Sequence, residues 1–190
     1  MTAVLLTPPA VEPVLIAEAR AYLRLNNTDD DDLVSALISA ARIHVERLTR
    51  QVLIQQEWRC FFDAWPEDNV IKLPITPVQA VLSISIHDEN DKIVKLHEGD
   101  YRLDAYFSPP RIVTAHGAYK PSKLFNGIEI DITAGYGTSG VEVPQPLRLA
   151  IMMLATRWYE GRDGAFVSAV PSDITDSFNA LVAPYRMLKL

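Results

Sequence analysis

Between Leu33 and Leu48 the apolar residues Leu33, Leu37, Ala41, Val45 and Leu48 recur at near-helical spacing, and Val34 and Ile38 widen the stripe. That periodicity predicts an amphipathic helix, with Ser35, Ser39, Arg42, Glu46 and Arg47 largely on its other side. The run Asp29–Asp32 stands where its N-terminus falls, and carboxylates there accept free N–H groups and complement the macrodipole. Ahead of it, residues 1–12 hold Pro8 and Pro9 and no clear period, and read as a flexible arm. Pro13 suits a first helical turn. A short helix from about Val14 to Leu25 follows, with Leu15, Ala19, Tyr22 and Leu23 as its apolar face.

After Gln51 the period changes to two. Ile54, Trp58, Cys60 and Phe62 fall on one face of a strand and Glu57 and Arg59 on the other, with Phe61 as an exception. Leu82, Ile84 and Ile86 alternate with Ser83, Ser85 and His87, and the turn Asp88–Asp91 makes a hairpin that ends near Leu96. Tyr101–Asp104 and Arg111–Thr114 read as short strands. Ile128, Ile130 and Ile132 alternate with Glu129, Asp131 and Thr133, the half-solvated pattern of an antiparallel sheet. Helical character returns at Leu147–Glu160, entered through Pro144 and Pro146 and capped by Gly161. This segment is apolar on most sides and belongs at the centre of the core. Gly164–Pro171 reads as a loop. Ser172 or Asp173 then caps a last helix with Ile174, Phe178, Leu181 and Val182, which Pro184 ends.

The fold class is therefore α+β: a small helical bundle formed by N- and C-terminal helices, with a mostly antiparallel β insertion in the middle. The 190 residues suit a single domain. Its helical part is 1–53 and 144–190, and its β insertion is 54–143. The burial predicted for the bundle sets Leu37, Ala41 and Val45 against Leu147, Ile151 and Leu154.

Composition narrows the function. One cysteine, Cys60, excludes an intramolecular disulfide and any multi-cysteine zinc site. The first ten residues lack the basic and apolar regions of a signal peptide, and no stretch approaches the roughly 20 apolar residues that span a bilayer. These features predict a soluble protein, intracellular at synthesis. A net charge of −6, with basic residues dispersed among acids, argues against a protein that grips nucleic acid by its phosphates.

Candidate chemistry is sparse. Gly135-Tyr136-Gly137-Thr138-Ser139-Gly140 has the spelling GxGxxG. However, the strand before it alternates, two prolines precede the helix, and no second βαβ unit follows, so it reads as a glycine-rich loop. Asp29–Asp32 continues into Leu33 and Val34 where an EF-hand needs further oxygen ligands. His44, His87, His97 and His116 show no paired metal spacing. Cys60 alternates with aromatics and reads as a small core residue. There is no GxSxG, Walker A or HExxH motif. Neither a catalytic residue, a metal nor a cofactor is predicted.

The ordered series of segments resembles the head–tail connector (adaptor) proteins of tailed bacteriophages and gene transfer agents. The matching pieces are Ile16–Arg24, the acidic start before Leu33, Ala40–Thr49, Gln55–Trp58, Leu73–Val78, Tyr101–Asp104, Ala134–Gly137, Val143–Arg148, Trp158–Arg162 and Leu181–Arg186. They span nearly the whole chain. Each is weak alone, and the series is fairly specific. The resemblance implies a structural virion protein that forms a ring, twelvefold in the particle, beneath the portal protein at the head–tail junction. That ring extends the channel through which double-stranded DNA passes without specific binding, and offers a platform to a stopper or tail-completion protein. No membrane is involved. The resemblance also implies a portal-docking element in the C-terminal tail, carried here by Pro184, Tyr185, Arg186, Leu188 and Leu190. Two other readings stay open: a stopper or tail-completion protein of the same junction, and a small hydrolytic enzyme using residues such as Asp100, Asp104 and Glu129.

Overall fold

The computed structural model describes residues 2–90, 92–114, 120–161 and 175–187. The chain divides into a helical unit, residues 10–54 with 137–190, and a β unit, residues 1–9 with 55–136.

The helical unit contains α1 (Ile16–Leu23), α2 (Asp31–Thr49), α3 (Gln145–Glu160) and α4 (Thr175–Val182). Its main seam runs between α2 and α3. From α2 it buries Val34, Ile38, Ala41 and Val45, and from α3 Leu147, Ala150, Ile151, Leu154, Ala155 and Trp158. The α2 stripe is rotated from the one the sequence suggests. Leu33 is exposed and Leu37 half-buried, whereas Arg42 is buried.

Burial of Arg42 is made possible by acids. Its Nε lies 2.8 Å from Glu12 Oε2 and its Nη1 2.8 Å from Glu46 Oε2. Burial works against the guanidinium charge, but the hydrogen bond to Glu12 and the charges of Glu46 and Glu12 overcome it, so the pKa is held above its usual value. Glu46 Oε1 also accepts the Leu53 N–H at 2.9 Å, which closes the chain after α2. Local periodicity could not announce this cluster, because Glu12 lies 30 positions away.

The helix α1 begins at Ile16, three residues after Pro13, so Pro13 is not in its first turn. Pro13 and Val14 are buried ahead of it, and within α1 only Ala19 is fully buried; Leu15 and Tyr22 face solvent. Leu15 N–H donates to Glu18 Oε2 at 2.9 Å, which starts the helix. Arg24, in left-handed conformation, ends it, with Arg24 N–H on Ala21 O and Leu25 N–H on Arg20 O. Gly161 N–H donates to Arg157 O at 3.0 Å and closes α3 as predicted. In α4, Phe178 and Val182 are buried. The predicted loop 164–171 and the cap at Ser172 or Asp173 lie outside the described residues. Among those described, no helix is long and apolar enough to cross a membrane.

The β unit contains β1 (Thr2–Thr7), β2 (Gln56–Phe62), β3 (Val70–Lys72), β4 (Val78–His87), β5 (Ile93–Lys95), β6 (Tyr101–Asp104), β7 (Arg111–Thr114) and β8 (Ile128–Ala134). They form two antiparallel sheets, ordered β1-β2-β8-β4-β5 and β3-β7-β6. The core cluster takes Cys60, Ile84, Ile128, Ile130 and Ile132 from the first sheet and Ile71 and Ile112 from the second. This is the predicted α+β architecture.

Two features of the first sheet depart from the pattern. Residues 2–7 are strand β1, not a flexible arm: Thr2, Ala3, Val4 and Leu5 pair with Phe61, Cys60, Arg59 and Trp58. The ladder on β2 supplies an order that the short segment does not encode by itself. Leu82 is exposed although it sits in the alternating run. The pairing Val81↔Ile132, Ser83↔Asp131, Ile84↔Ile130 leaves Leu82 as an inserted residue, so a bulge puts Val81 and Ile84 on one face and turns Leu82 away.

The bulge makes a stability prediction. Ile84→Ala should cost about 2–5 kcal/mol, whereas Leu82→Ser should stay within about 0.5 kcal/mol of wild type. Urea denaturation of both variants checks this. Equal losses would mean that Leu82 packs in the core.

Candidate functional site

The predicted portal-docking element begins where α4 ends. A short 3-10 turn, Ala183–Tyr185, follows Val182 and includes Pro184. Gln51 Nε2 donates to Tyr185 O at 2.8 Å, Met187 N–H donates to Thr49 O at 3.1 Å, and Arg186 Nη2 donates to Asn179 Oδ1 at 2.8 Å. The chain up to Met187 is thus tied to the C-terminal end of α2. Pro184 and Arg186 are exposed and Tyr185 is half-buried. Leu188 and Leu190 lie outside the described residues.

His44 of α2 packs against α3 and α4. Its ring meets Trp158 edge-on at 6.1 Å and Phe178 of α4 at 6.2 Å between centroids. Burial, helped by the charge of Arg47, lowers its pKa from the usual value. His44 is therefore a packing residue that holds α4 on α2 and α3, as its position beside the stripe suggested.

At the opposite end of α2, the acids do more than favour the dipole. Asp30, the residue before the helix, does not cap it with its side chain but accepts a hydrogen bond from the Tyr159 hydroxyl of α3. Asp31 pairs with Arg20 at 3.5 Å. Arg148, in the segment Val143–Arg148, takes its role from geometry. It donates from Nε to Pro13 O at 3.0 Å, from Nη1 to Gln145 Oε1 at 3.1 Å and from Nη2 to Glu18 Oε1 at 2.5 Å. The hydrogen bond from Arg148 holds the Glu18 carboxyl below the usual carboxylate range. This one guanidinium fastens α1 and the segment before it to α3. The spacing of Arg148 after Pro144 and Pro146 was the only sequence signal.

The carboxylates of the enzyme reading are spent on separate local contacts. Asp100 Oδ2 accepts the His97 N–H at 2.9 Å, and Asp104 pairs with Arg111 at 3.0 Å. Glu129 lies 3.3 Å from Arg59 and 3.3 Å from His87 on the first sheet. Next to it, Arg59 forks onto Asp131 at 2.7 and 2.9 Å, and that hydrogen bonding lowers the Asp131 pKa. Burial pushes the Cys60 thiol up to about 12, the behaviour of a core residue and not of a nucleophile. The glycine-rich loop opens no helix: Gly140 starts a 3-10 turn, Gly140–Glu142, ahead of Pro144. A Cβ on Gly140 would lie 2.3 Å from Pro13 O, so close backbone packing explains that glycine. Among the described residues no group of His, Cys, Asp and Glu could hold a metal ion.

Comparison with known proteins gives a consistent answer. The family model described as phage gp6-like head–tail connector protein matches residues 14–104. A chain in the neck of an empty gene transfer agent particle, computed with C6 symmetry, aligns over 100% of this chain and 97% of its own, with a TM-score of 0.82 and 28% identity. The chain is similar to phage head–tail connector proteins. Similar chains occur in the virion of the native gene transfer agent particle (TM-score 0.78) and in the neck of the native particle computed with C12 symmetry (TM-score 0.77). Both are 28% identical, and each comparison covers 100% of this chain and 97% of the other. No curated protein matches. The connector family is structural, which removes the hydrolase reading.

The position of His44 gives a pH prediction. Its pKa is lower folded than unfolded, so the unfolded chain binds the extra proton first, and stability falls as pH drops below about 6.5. The urea midpoint should fall between about pH 7.5 and pH 5, and His44→Leu should shrink that fall. Other titrating groups are common to both proteins and cancel in the comparison. An unchanged difference would mean that His44 is not buried neutral.

Proposed function

We propose that this chain forms a homo-oligomeric ring at the head–tail junction of a tailed particle, beneath the portal protein. It acts there as a structural adaptor between capsid and tail. The observation that carries the reading is the end-to-end match to neck proteins of gene transfer agent particles, 100% of this chain at a TM-score of 0.82. The C6 and C12 symmetries of those necks support a ring, and the C12 symmetry suits a twelvefold one.

In this reading the ring continues the DNA channel. Its net charge of −6 suits a wall past which phosphates slide, because a basic wall would retain the duplex through counterion release. The C-terminal segment Pro184, Tyr185, Arg186, Leu188 and Leu190 docks on the portal. Geometry supports this division of labour. The anchor at Met187 and Tyr185 fixes where the segment leaves α2, and Pro184 and Arg186 are open to a partner. The opposite surface of the ring would then receive a stopper or tail-completion protein.

Native mass spectrometry with the portal protein tests the proposal. Wild-type protein should add to the portal as a ring. Tyr185→Asp with Leu188→Asp should abolish binding, and Leu188→Asp with Leu190→Asp, which leaves the half-buried Tyr185 in place, should do the same with the fold intact by circular dichroism. Normal binding by both folded variants would overturn the tail assignment. A wild-type protein that ignores the portal but joins a later neck protein would make it a stopper or tail-completion protein.

A further inference from the structure

The helix α2 is apolar on two sides. One side is the seam with α3. The other faces solvent and carries Leu33, Ala36, Ala40 and Ile43, with Leu33 at 38% and Ile43 at 47% exposure. Charges appear on this outer side only at its ends, Asp32 and Arg47, both exposed. A helix washed by solvent along 19 residues normally carries charged side chains there, and one apolar all round is normally covered.

A second apolar patch lies on the same unit. Val141 is 81% and Leu15 64% exposed, and Val11 and Tyr22 are exposed with them. The close approach of Gly140 to Pro13 brings the residue after Gly140 alongside those flanking Pro13. Leu15, just before α1, and Tyr22, near the end of α1, are both exposed. This patch is bulky, whereas the middle of the α2 stripe, at Ala36 and Ala40, is shallow.

We infer that these two patches are the halves of one contact between neighbouring copies of the chain, with α1 of one copy lying antiparallel across the outer side of α2 of the next. The inference rests on the ring reading. A ring repeats a heterologous contact, so each copy must present two unlike surfaces that fit each other. Bulky side chains over a shallow alanine stripe are such a pair. The antiparallel direction also matches charge: it sets Arg24 of one copy near Asp32 of the next, and Glu142 near Arg47. The open edge of β1, with Val4, Leu5 and Leu6 exposed, suits the ring less well. Continuing the sheet from copy to copy would accumulate five strand twists, about 100–125°, whereas a twelvefold ring turns about 30° per copy.

Cysteine cross-linking with the full chain and portal protein tests the contact, because the native Cys60 is buried and gives little background. The double variant Leu15→Cys with Ala40→Cys should oxidise to a ladder of oligomers, and neither single variant should. Ala36→Glu with Ala40→Glu should weaken ring formation at least about tenfold, read by mass photometry, with the helical content unchanged. A dimer from Ala40→Cys alone would mean a twofold α2–α2 contact and would overturn the proposal. A wild-type ring with no ladder, and with the glutamate variant still assembled, would overturn this contact and leave the ring standing. A wild-type chain that stays monomeric with and without portal would overturn the ring itself, and this contact with it.

Discussion

The helical unit depends on one seam between helices about a hundred residues apart in sequence. There Val34, Ile38, Ala41 and Val45 of α2 are buried with Leu147, Ala150, Ile151 and Leu154 of α3. Closing so long a loop costs entropy, and only a large dry apolar surface offsets it. Polar ties then fix the direction of the helices. Tyr159 reaches Asp30 at one end of α2, and the Gln51 and Thr49 contacts with Tyr185 and Met187 mark the other. Arg148 adds α1 to this frame through Glu18 and Pro13.

This frame has a consequence for function. In the proposed ring, this body would carry the short segments that reach partners. The residues that the family resemblance singled out divide accordingly. Arg148, Trp158 and Tyr159 are internal fasteners, and Pro184 and Arg186 stand exposed after α4. Catalysis would need convergent polar groups with shifted pKa values in one cleft. Here Asp100, Asp104 and Glu129 are each bound up in a different local contact.

Elements whose order is written in neighbouring residues were legible in the sequence. The helices α2 and α3, the alternation in β8 and the pairing of β4 with β5 appear as predicted, although the buried stripe of α2 is rotated, because each element depends on residues within a few positions. What was not legible depends on distant partners. Residues 2–7 are strand only because β2 is there to pair with them. Leu82 leaves the alternating pattern because the register against β8 slips by one residue. The polar assignment of Arg42 failed because Glu12 supplies its counter-charge. The end of α4 close to Pro184 was legible, but the anchorage of Tyr185 and Met187 to Gln51 and Thr49 was not. The role of Arg148 was equally hidden, since Glu18 lies 130 positions away.

The central claim, a connector ring between head and tail, is tested most directly by cryo-electron microscopy of the portal vertex in particles assembled with this protein and in particles assembled without it. The account predicts one ring of density beneath the portal that fits both units of this chain, and its loss, together with loss of the tail, when the protein is withheld. Complete tailed particles without the protein, or density for it anywhere but the neck, would contradict the account.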